Sequence, residues 1–136
     1  MDADAYLEGT VVIVPATTYA VARVAAPPPD VDAFATVHDD AEPTVVIPES
    51  RLDALDEIAA VERGWRRLSF DATLPFDLVG FLARVTTALA EADVAVFAIS
   101  AYATDHVLVR ETDLATATER LSELGCVVER AAEPER

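Results

Sequence analysis

The chain has 136 residues, 52% of them hydrophobic, and 25 acidic against 10 basic residues give a formal net charge of −15. This length and composition suffice for one ordinary domain or two very small ones, and the single cysteine, Cys126, excludes an intramolecular disulfide and a cysteine-based zinc site. All ten basic residues are arginines, too few to neutralise a run of phosphates, which disfavours nucleic acid as a partner.

The first half of the chain contains three strand-like segments and a proline run. The segments are YAVARV (19–24), FAT (34–36) and TVVIPESRLDAL (44–55), the last of which leads from a strand into a helix-like stretch. Between the first two lies APPPDVD (26–32), and a proline run cannot form a helix interior. The pattern predicts strands with no full helix between the first and the second.

The second half starts with a strand and a long amphipathic helix. WRRLSFDA (65–72) has the aromatic and apolar content of a strand. PFDLVGFLARVTTALAEAD (75–93) then places leucine and valine at helical spacing, with Pro75 and Asp77 marking the start. VAVFAIS (94–100) and HVLVR (106–110) follow as two apolar strands, which predicts an antiparallel pair because their connection is short.

A second helix and a last strand complete the set. ETDLATATERLSELG (111–125) is apolar on one face, with Thr112 as the predicted N-cap and Gly125 as the stop. CVVER (126–130) reads as a strand in which Cys126 is expected to be a buried, inert thiol. The order β-α-β-β-α-β predicts the α+β ferredoxin-like arrangement, in which an antiparallel sheet of four strands carries both helices on one face.

The first half aligns with the second as a damaged copy of it. TVVIPESRLDAL lines up with HVLVRETDLATA (106–117), and YAVARV lines up with WRRLSF (65–70). We therefore predict two tandem units, a degenerate one over 1–62 that lacks or shortens its first helix and a complete one over 63–131, followed by a tail over 132–136. The alternative is that any two strand-helix segments look alike.

Gly80 is unexpected where the long helix should be starting, because glycine in a helix is unfavourable by about 0.5–1 kcal/mol relative to alanine. If Asp77 is the N-cap, Leu78, Val79 and Gly80 supply the first free backbone N–H groups, which form a small anion site. A side chain at Gly80 would obstruct that site. The alternative is that Gly80 only allows close approach of the helix to a strand.

A polar strand end offers the complementary half of a binding site. ISAYATD (99–105) carries Ser100, Thr104 and Asp105 where the chain turns. An amino acid presents a carboxylate and an ammonium group side by side, so it requires anion-binding amides on one side and a carboxylate acceptor on the other. The alternative for Asp105 is a turn residue that hydrogen-bonds its own backbone.

These motifs resemble ACT domains, specifically the double-ACT proteins related to the CASTOR arginine sensors, which are similar in the loop FDLVGFL and the strand end ISAYATD. The resemblance implies a regulatory, non-catalytic module without a cofactor, which binds a small amino-acid-like molecule between ACT units of a homodimer. It implies these ligand-binding residues: Phe76, Asp77, Val79, Gly80, Phe81, Ile99, Ser100, Thr104 and Asp105.

Two other functions are open on the sequence. His38 and His106 could suggest a metal site or proton relay, but two histidines on unrelated segments without a third ligand are typical of turns and surfaces. A structural dimerisation or partner-docking module that has lost its ligand is the second alternative. Arg63, Arg66 and Arg67 around Trp65 would fit a protein interface or, alternatively, ion pairs around a core tryptophan.

Cellular location and habitat are expectations from composition. No charged-then-apolar leader opens the sequence, and its apolar runs are shorter than the 18 or so residues of a membrane span. We expect a cytoplasmic protein that does not bind membranes. An acidic, lysine-free surface suits a high-salt cytoplasm, because screening at about 1 M salt acts over roughly 3 Å.

Overall fold

The computed structural model describes residues 2–26 and 31–131, and these divide into two compact units. The small unit is Thr17–Trp65, and the large unit comprises the described residues of Met1–Ala16 and Arg66–Arg136. The sequence-based division differs, because it assigns the N-terminal residues to the first unit. The predicted tail over 132–136 lies outside the described residues.

The described elements follow in chain order as α1 Ala3–Leu7, β1 Val11–Val14, β2 Tyr19–Val24, β3 Ala35–Val37, β4 Thr44–Pro48, β5 Ile58–Asp71, α2 Phe81–Glu91, β6 Val96–Ser100, β7 Asp105–Arg110, α3 Leu114–Glu123 and β8 Val127–Arg130. Two 3₁₀ helices, Glu49–Ala54 and Glu111–Asp113, follow β4 and β7. Each 3₁₀ helix lies where the sequence predicts that a strand is followed by the start of a helix.

The small unit is an antiparallel sheet in the order β3-β4-β2-β5. This is the strand order of a ferredoxin-like sheet whose second helix is shortened to the 3₁₀ helix Glu49–Ala54. Between Val24 and Ala35 the described residues form no helix; the proline run of this connection lies mostly in 27–30, outside those residues. The unit has its own apolar core, made by Ala20, Ala22, Val24, Val45, Ile47, Leu52 and Leu55.

The large unit has the sheet order β6-β7-β5-β1-β8, with β6 and β7 antiparallel as predicted. Strand β1 lies between β5 and β8, antiparallel to the first and parallel to the second. Its Val12 and Val14 are fully buried in the core of this unit. Burial of these two valines explains why the N-terminal segment belongs to the large unit. The pairing of β1 with β5 and β8 joins residues that are distant in the chain.

Both long helices cover one face of the large unit's sheet. Alternate strand residues face them, since consecutive side chains of a strand point to opposite faces. The shared core contains Leu68, Phe70, Val107 and Val109 from strands, Phe81, Val85 and Leu89 from α2, and Leu114, Ala117 and Leu121 from α3. The predicted α+β class with tandem ferredoxin-like, ACT-like units is confirmed.

The start of α2 differs from the prediction, and Asp77 is not its N-cap. The residues before the helix form a turn in which Leu78 N–H donates to the carbonyl of Pro75 (3.0 Å). Gly80 is the N-cap, with a φ of +93°, a left-handed conformation that costs other residues energy because of their Cβ. The proline and the left-handed glycine therefore delay the helix by about one turn relative to the predicted start.

The ends of α3 are partly as predicted. The N-cap is Asp113 rather than Thr112, which lies inside the 3₁₀ helix Glu111–Asp113. At the other end Gly125 has a φ of +102°. Its N–H donates to the Ser122 carbonyl (3.0 Å) and the Cys126 N–H donates to the Leu121 carbonyl (3.1 Å). This pair of bonds is the Schellman motif, so Gly125 ends the helix as predicted.

Candidate functional site

A pocket of about 330 Å³ lies at the start of α2 in the large unit. Its walls are the loop that precedes the helix, the first turn of the helix, and the connection between β6 and β7. The lining residues are Leu74, Pro75, Phe76, Leu78, Gly80, Phe81, Leu82, Ala83, Ser100, Ala101, Tyr102, Ala103, Thr104 and Asp105.

The first turn of α2 forms one wall of this pocket. The Gly80 carbonyl accepts the N–H of Arg84 (2.9 Å), so helical hydrogen bonding begins there. The N–H groups of Phe81, Leu82 and Ala83 precede it and have no acceptor inside the helix. No side chain of the described residues caps the helix. The residues that carry these amides all line the pocket, at the positive end of the helix dipole.

The turn between β6 and β7 supplies the opposite wall. Ser100 and Asp105 are cross-strand partners where the two strands end. The turn is held to its neighbours by two hydrogen bonds: Thr104 Oγ1 donates to the Phe70 carbonyl (2.9 Å), and Leu74 N–H donates to the Ala103 carbonyl (2.7 Å). Asp105 is the one ionisable side chain among the lining residues, apart from the exposed phenol of Tyr102.

Aromatic side chains form the floor and the mouth of the pocket. Phe81 is buried and meets Phe70 edge-to-face, with ring centroids 5.2 Å apart. At the mouth, Phe76 and Tyr102 are 76% and 84% exposed although their ring centroids are only 4.9 Å apart. Exposed aromatic rings at a pocket mouth offer contact surface to a ligand or a second protein chain.

The structure brings most of the sequence-predicted site residues together. The members that line the pocket are Phe76, Gly80, Phe81, Ser100, Thr104 and Asp105. Asp77 is exposed in the turn and does not line the pocket. Ile99 alternates with Ser100 along β6 and therefore faces the other side of the sheet.

Two further residues differ from the sequence-based set. Val79 is 82% exposed and borders a second concavity rather than the pocket. Tyr102 lines the pocket but was not among the predicted residues. An aromatic residue inside a short polar connection between two strands was the sequence signal that could have identified it.

The second concavity, of about 430 Å³, lies between α1 and α2 on the large unit. It is bordered by Gly80, Val79 and the ion pair between Arg84 Nε and Asp4 Oδ1 (2.9 Å). Both charged side chains of this pair are about half exposed or more, and exposed pairs contribute little to stability. Gly80 thus borders a concavity on either side of the helix start.

His106 belongs to a polar cluster on the sheet face away from the helices. Arg67 Nη1 donates to Ser69 Oγ (2.6 Å), and Ser69 Oγ lies 2.7 Å from His106 Nδ1. Because Ser69 accepts from Arg67, its own hydroxyl proton is available to Nδ1 of a neutral imidazole. Burial first, then the charge of Arg67, lower the pKa of His106, while Asp105 opposes the shift.

We expect this lowered pKa to make the protein less stable as the pH falls below about 6.5, the ordinary value for histidine. Below that pH the unfolded chain binds a proton that the folded chain binds less readily, so the free energy of unfolding decreases. Urea unfolding between pH 7.5 and 5.5 measures the effect. His106→Gln should lose less stability over this range than the parent, and the matched variant His38→Gln should lose as much. Equal losses of stability in all three proteins would contradict the assignment of this pH dependence to His106.

Outside the pocket, the described residues contain no ionised thiol and no metal-site cluster. Burial, followed by the charge of Glu8, raises the pKa of the Cys126 thiol to about 11, so the thiol stays protonated at neutral pH. Over residues 2–26 and 31–131, no three His, Cys, Asp or Glu side chains group as a metal site. No helix in the same ranges is long and apolar enough to cross a membrane.

Comparisons with known proteins agree with this fold. Residues 60–123 match the sequence model of the ACT domain, and no curated protein matches the chain significantly. A protein from Agobacterium tumefaciens shares the fold with a TM-score of 0.80 and 23% identity, covering 94% of this chain and 98% of that one. The ligand-free regulatory subunit of aspartate kinase from Thermus thermophilus has a TM-score of 0.63 and 10% identity, covering 83% and 95%.

Proposed function

We propose that this protein is a non-catalytic regulatory sensor, which binds a small amino-acid-like molecule at the interface between ACT-like units of a homodimer. One observation carries the proposal: the first-turn residues of α2, whose amides no side chain caps, and Asp105 line the same pocket. An α-amino acid has the two charges that these groups recognise. The match of residues 60–123 to the ACT domain, and the likeness to a regulatory subunit, support a regulatory role.

The experiment is a thermal-shift screen against the twenty common amino acids, followed by calorimetry on any that stabilise. A ligand present at 100 times its Kd should add about 2.7 kcal/mol to the free energy of unfolding. Asp105→Asn should remove that gain, since the ligand's ammonium group then loses its ionic partner. Asp53→Asn, at an exposed position of the small unit, is the matched control and should bind as the parent does. Absence of a shift with every amino acid would contradict the sensor function.

The homodimer is supported by the exposed apolar side chains at the pocket mouth. Phe76 and Tyr102 are each more than three-quarters exposed although their rings are in contact, and contiguous apolar surface of this kind favours association. We propose that two copies meet there, each completing the pocket of the other. We propose that the protein is related to the CASTOR sensors, and this arrangement corresponds to theirs. In those sensors one longer chain supplies both halves of the binding interface.

Light scattering over a concentration series should give a dimer at about 1 M salt and weaker association at about 0.1 M, where the net charge of −15 is less screened. Phe76→Ser with Tyr102→Ser should raise the dimer Kd at least about 30-fold, the effect of removing an interface hot spot. Val37→Ser, at an exposed valine of the small unit, is the control. Salt-independent stability and association would contradict the proposed high-salt cytoplasm.

A docking module without a ligand is the second candidate, favoured by the same exposed aromatic rings. The arginine cluster does not add to it, because Arg66 is used inside the large unit. Its Nη2 donates to the Pro15 carbonyl (2.7 Å), and its Nη1 lies 3.9 Å from Glu111 Oε2. This candidate would be favoured if the protein dimerises or captures another protein while no amino acid changes its stability toward unfolding.

A further inference from the structure

We infer that the N-terminal segment, residues 2–14, leaves the large unit in a minor state of the protein, in which β8 occupies the place of β1 beside β5. This exchanged state goes beyond the proposed function and does not depend on ligand binding. It is supported by the strand order of the two units, by the match between β1 and β8, and by the hydrogen bonds that join these two strands.

The strand order of the large unit differs from that of the small unit by one inserted strand. In the small unit the last strand, the first part of β5, pairs directly with the first strand, β2. In the large unit the first strand is β5 and the last is β8, and β1 lies between them. Removal of β1 would therefore restore the order of the small unit, with β8 directly beside β5.

Strand β8 already has the direction and the side chains that the place beside β5 requires. It is parallel to β1, which is antiparallel to β5, so β8 would pair with β5 without reversing its direction. The register aligns residues 127–128 with residues 11–12, and both pairs are valines. A sideways shift by one strand spacing, about 4.8 Å, would bring the valines of β8 into the positions of those of β1.

The hydrogen bonds of β8 would find new acceptors in the exchanged state. The Val127 N–H donates to the Thr10 carbonyl (2.8 Å), and the Ala131 N–H donates to the Val14 carbonyl (2.9 Å). Both acceptors belong to the segment that leaves. Its departure also frees the edge of β5 that β1 covers, so the backbone groups of β8 and β5 can satisfy each other.

Burial of the N-terminal segment explains why the described arrangement is the major state. Leu7, Val12 and Val14 are at most 1% exposed, so withdrawal of the segment loses much apolar burial. In the exchanged state Arg130 would stand in place of Val14, and its charged end has to reach water. The exchange therefore raises the free energy of the protein, and the exchanged state is sparsely populated.

The exchange would change the helix layer as well as the sheet. Helix α1 belongs to the same segment, and Asp4 Oδ1 pairs with Arg84 Nε of α2 at 2.9 Å. Withdrawal of the segment breaks this ion pair and uncovers the surface of α2 that α1 contacts. A partner that binds only the exchanged state would shift the equilibrium toward it, by as much as its affinity for the two states differs.

An engineered disulfide in the full chain tests the inference. Asp71 and Val127 are both Cα partners of Val11, one on each side of β1, so their Cα atoms lie two strand spacings apart, about 9.5 Å. A disulfide requires about 4.4–6.8 Å. In a Cys126→Ala background, Asp71→Cys with Val127→Cys should therefore cross-link within one chain only when β8 lies beside β5. Val11→Cys with Asp71→Cys joins neighbouring positions and is the positive control.

Oxidation at low protein concentration, followed by non-reducing electrophoresis and mass spectrometry, measures the rate of cross-linking. Leu7→Ala removes a buried side chain of the N-terminal segment, so it should populate the exchanged state and accelerate cross-linking at least tenfold. Leu52→Ala is a matched truncation in the core of the small unit and should leave the rate unchanged. In the cross-linked protein, chymotrypsin should cut after Tyr6 at least tenfold faster than in the reduced protein.

Two results would overturn the inference. One is the absence of the cross-link in a Leu7→Ala protein with native circular dichroism, under conditions in which the positive control cross-links. The other is equal acceleration by Leu7→Ala and Leu52→Ala, because the two cysteines would then meet through general unfolding rather than through exchange of β1 and β8.

Discussion

Phe70→Ala should reduce the free energy of unfolding by about 3–5 kcal/mol, the cost of truncating a fully buried phenylalanine. Phe70 is 1% exposed in β5 and packs edge-to-face against Phe81 at the base of the pocket. The variant loses the burial of a large ring and leaves a cavity that the surrounding sheet and helix fill only in part. A loss of this size is a substantial share of the 5–15 kcal/mol by which typical domains are stable.

Urea unfolding followed by circular dichroism measures this change as a lower midpoint with the same slope. Phe76→Ala is the matched control, because it removes the same ring from a position that is 76% exposed. At protein concentrations too low for dimerisation it should change stability by no more than about 0.5 kcal/mol. Equal losses in the two variants would mean that Phe70 does not occupy the core.

Gly80→Ala should cost about 1–2 kcal/mol, the penalty for placing an L-residue in left-handed backbone. Gly80 has a φ of +93° at the N-cap of α2. Space is not the reason, since a Cβ added there would meet only Ala3 Cβ, at an ordinary 3.9 Å. The glycine is therefore required by the backbone conformation that starts the helix, rather than by close packing against a strand.

Thermal and urea unfolding of three proteins test this explanation. Gly80→Asn should be less destabilised than Gly80→Ala, although its side chain is larger, because asparagine tolerates left-handed backbone better. A larger loss for asparagine than for alanine would indicate a steric origin instead. The same backbone strain makes substitution of Gly80 a poor test of ligand binding, so Asp105→Asn is the better variant for that purpose.

Much of the fold was predictable because apolar periodicity is a local property. YAVARV forms β2 with the predicted bounds, and the helix–strand order of the second half is as predicted. Gly125 was identifiable as a helix stop from its position alone. The N-cap of α2 was not, because Asp77 and Gly80 are both acceptable N-cap residues, and the turn that starts at Pro75 decides between them.

The candidate site was predictable as two polar segments and only partly as a set of residues. Gly80 and Asp105 line one pocket as predicted. Ile99 and Val79 were included because the family resemblance implied them. The alternation of side chains along β6 points Ile99 to the other face of the sheet, and Val79 borders the second concavity. Which residues of a motif face the pocket depends on backbone direction, which a motif does not specify.

The sequence by itself determined the class of fold and the two segments that carry the pocket. These depend on composition and on spacing within a few residues. The tertiary structure alone decided that β1 lies between β5 and β8, and that the Phe76 and Tyr102 rings meet at the pocket mouth. Strand pairing and ring contacts join residues far apart in the chain, and the free energy that selects them comes from shared burial, which no local pattern encodes.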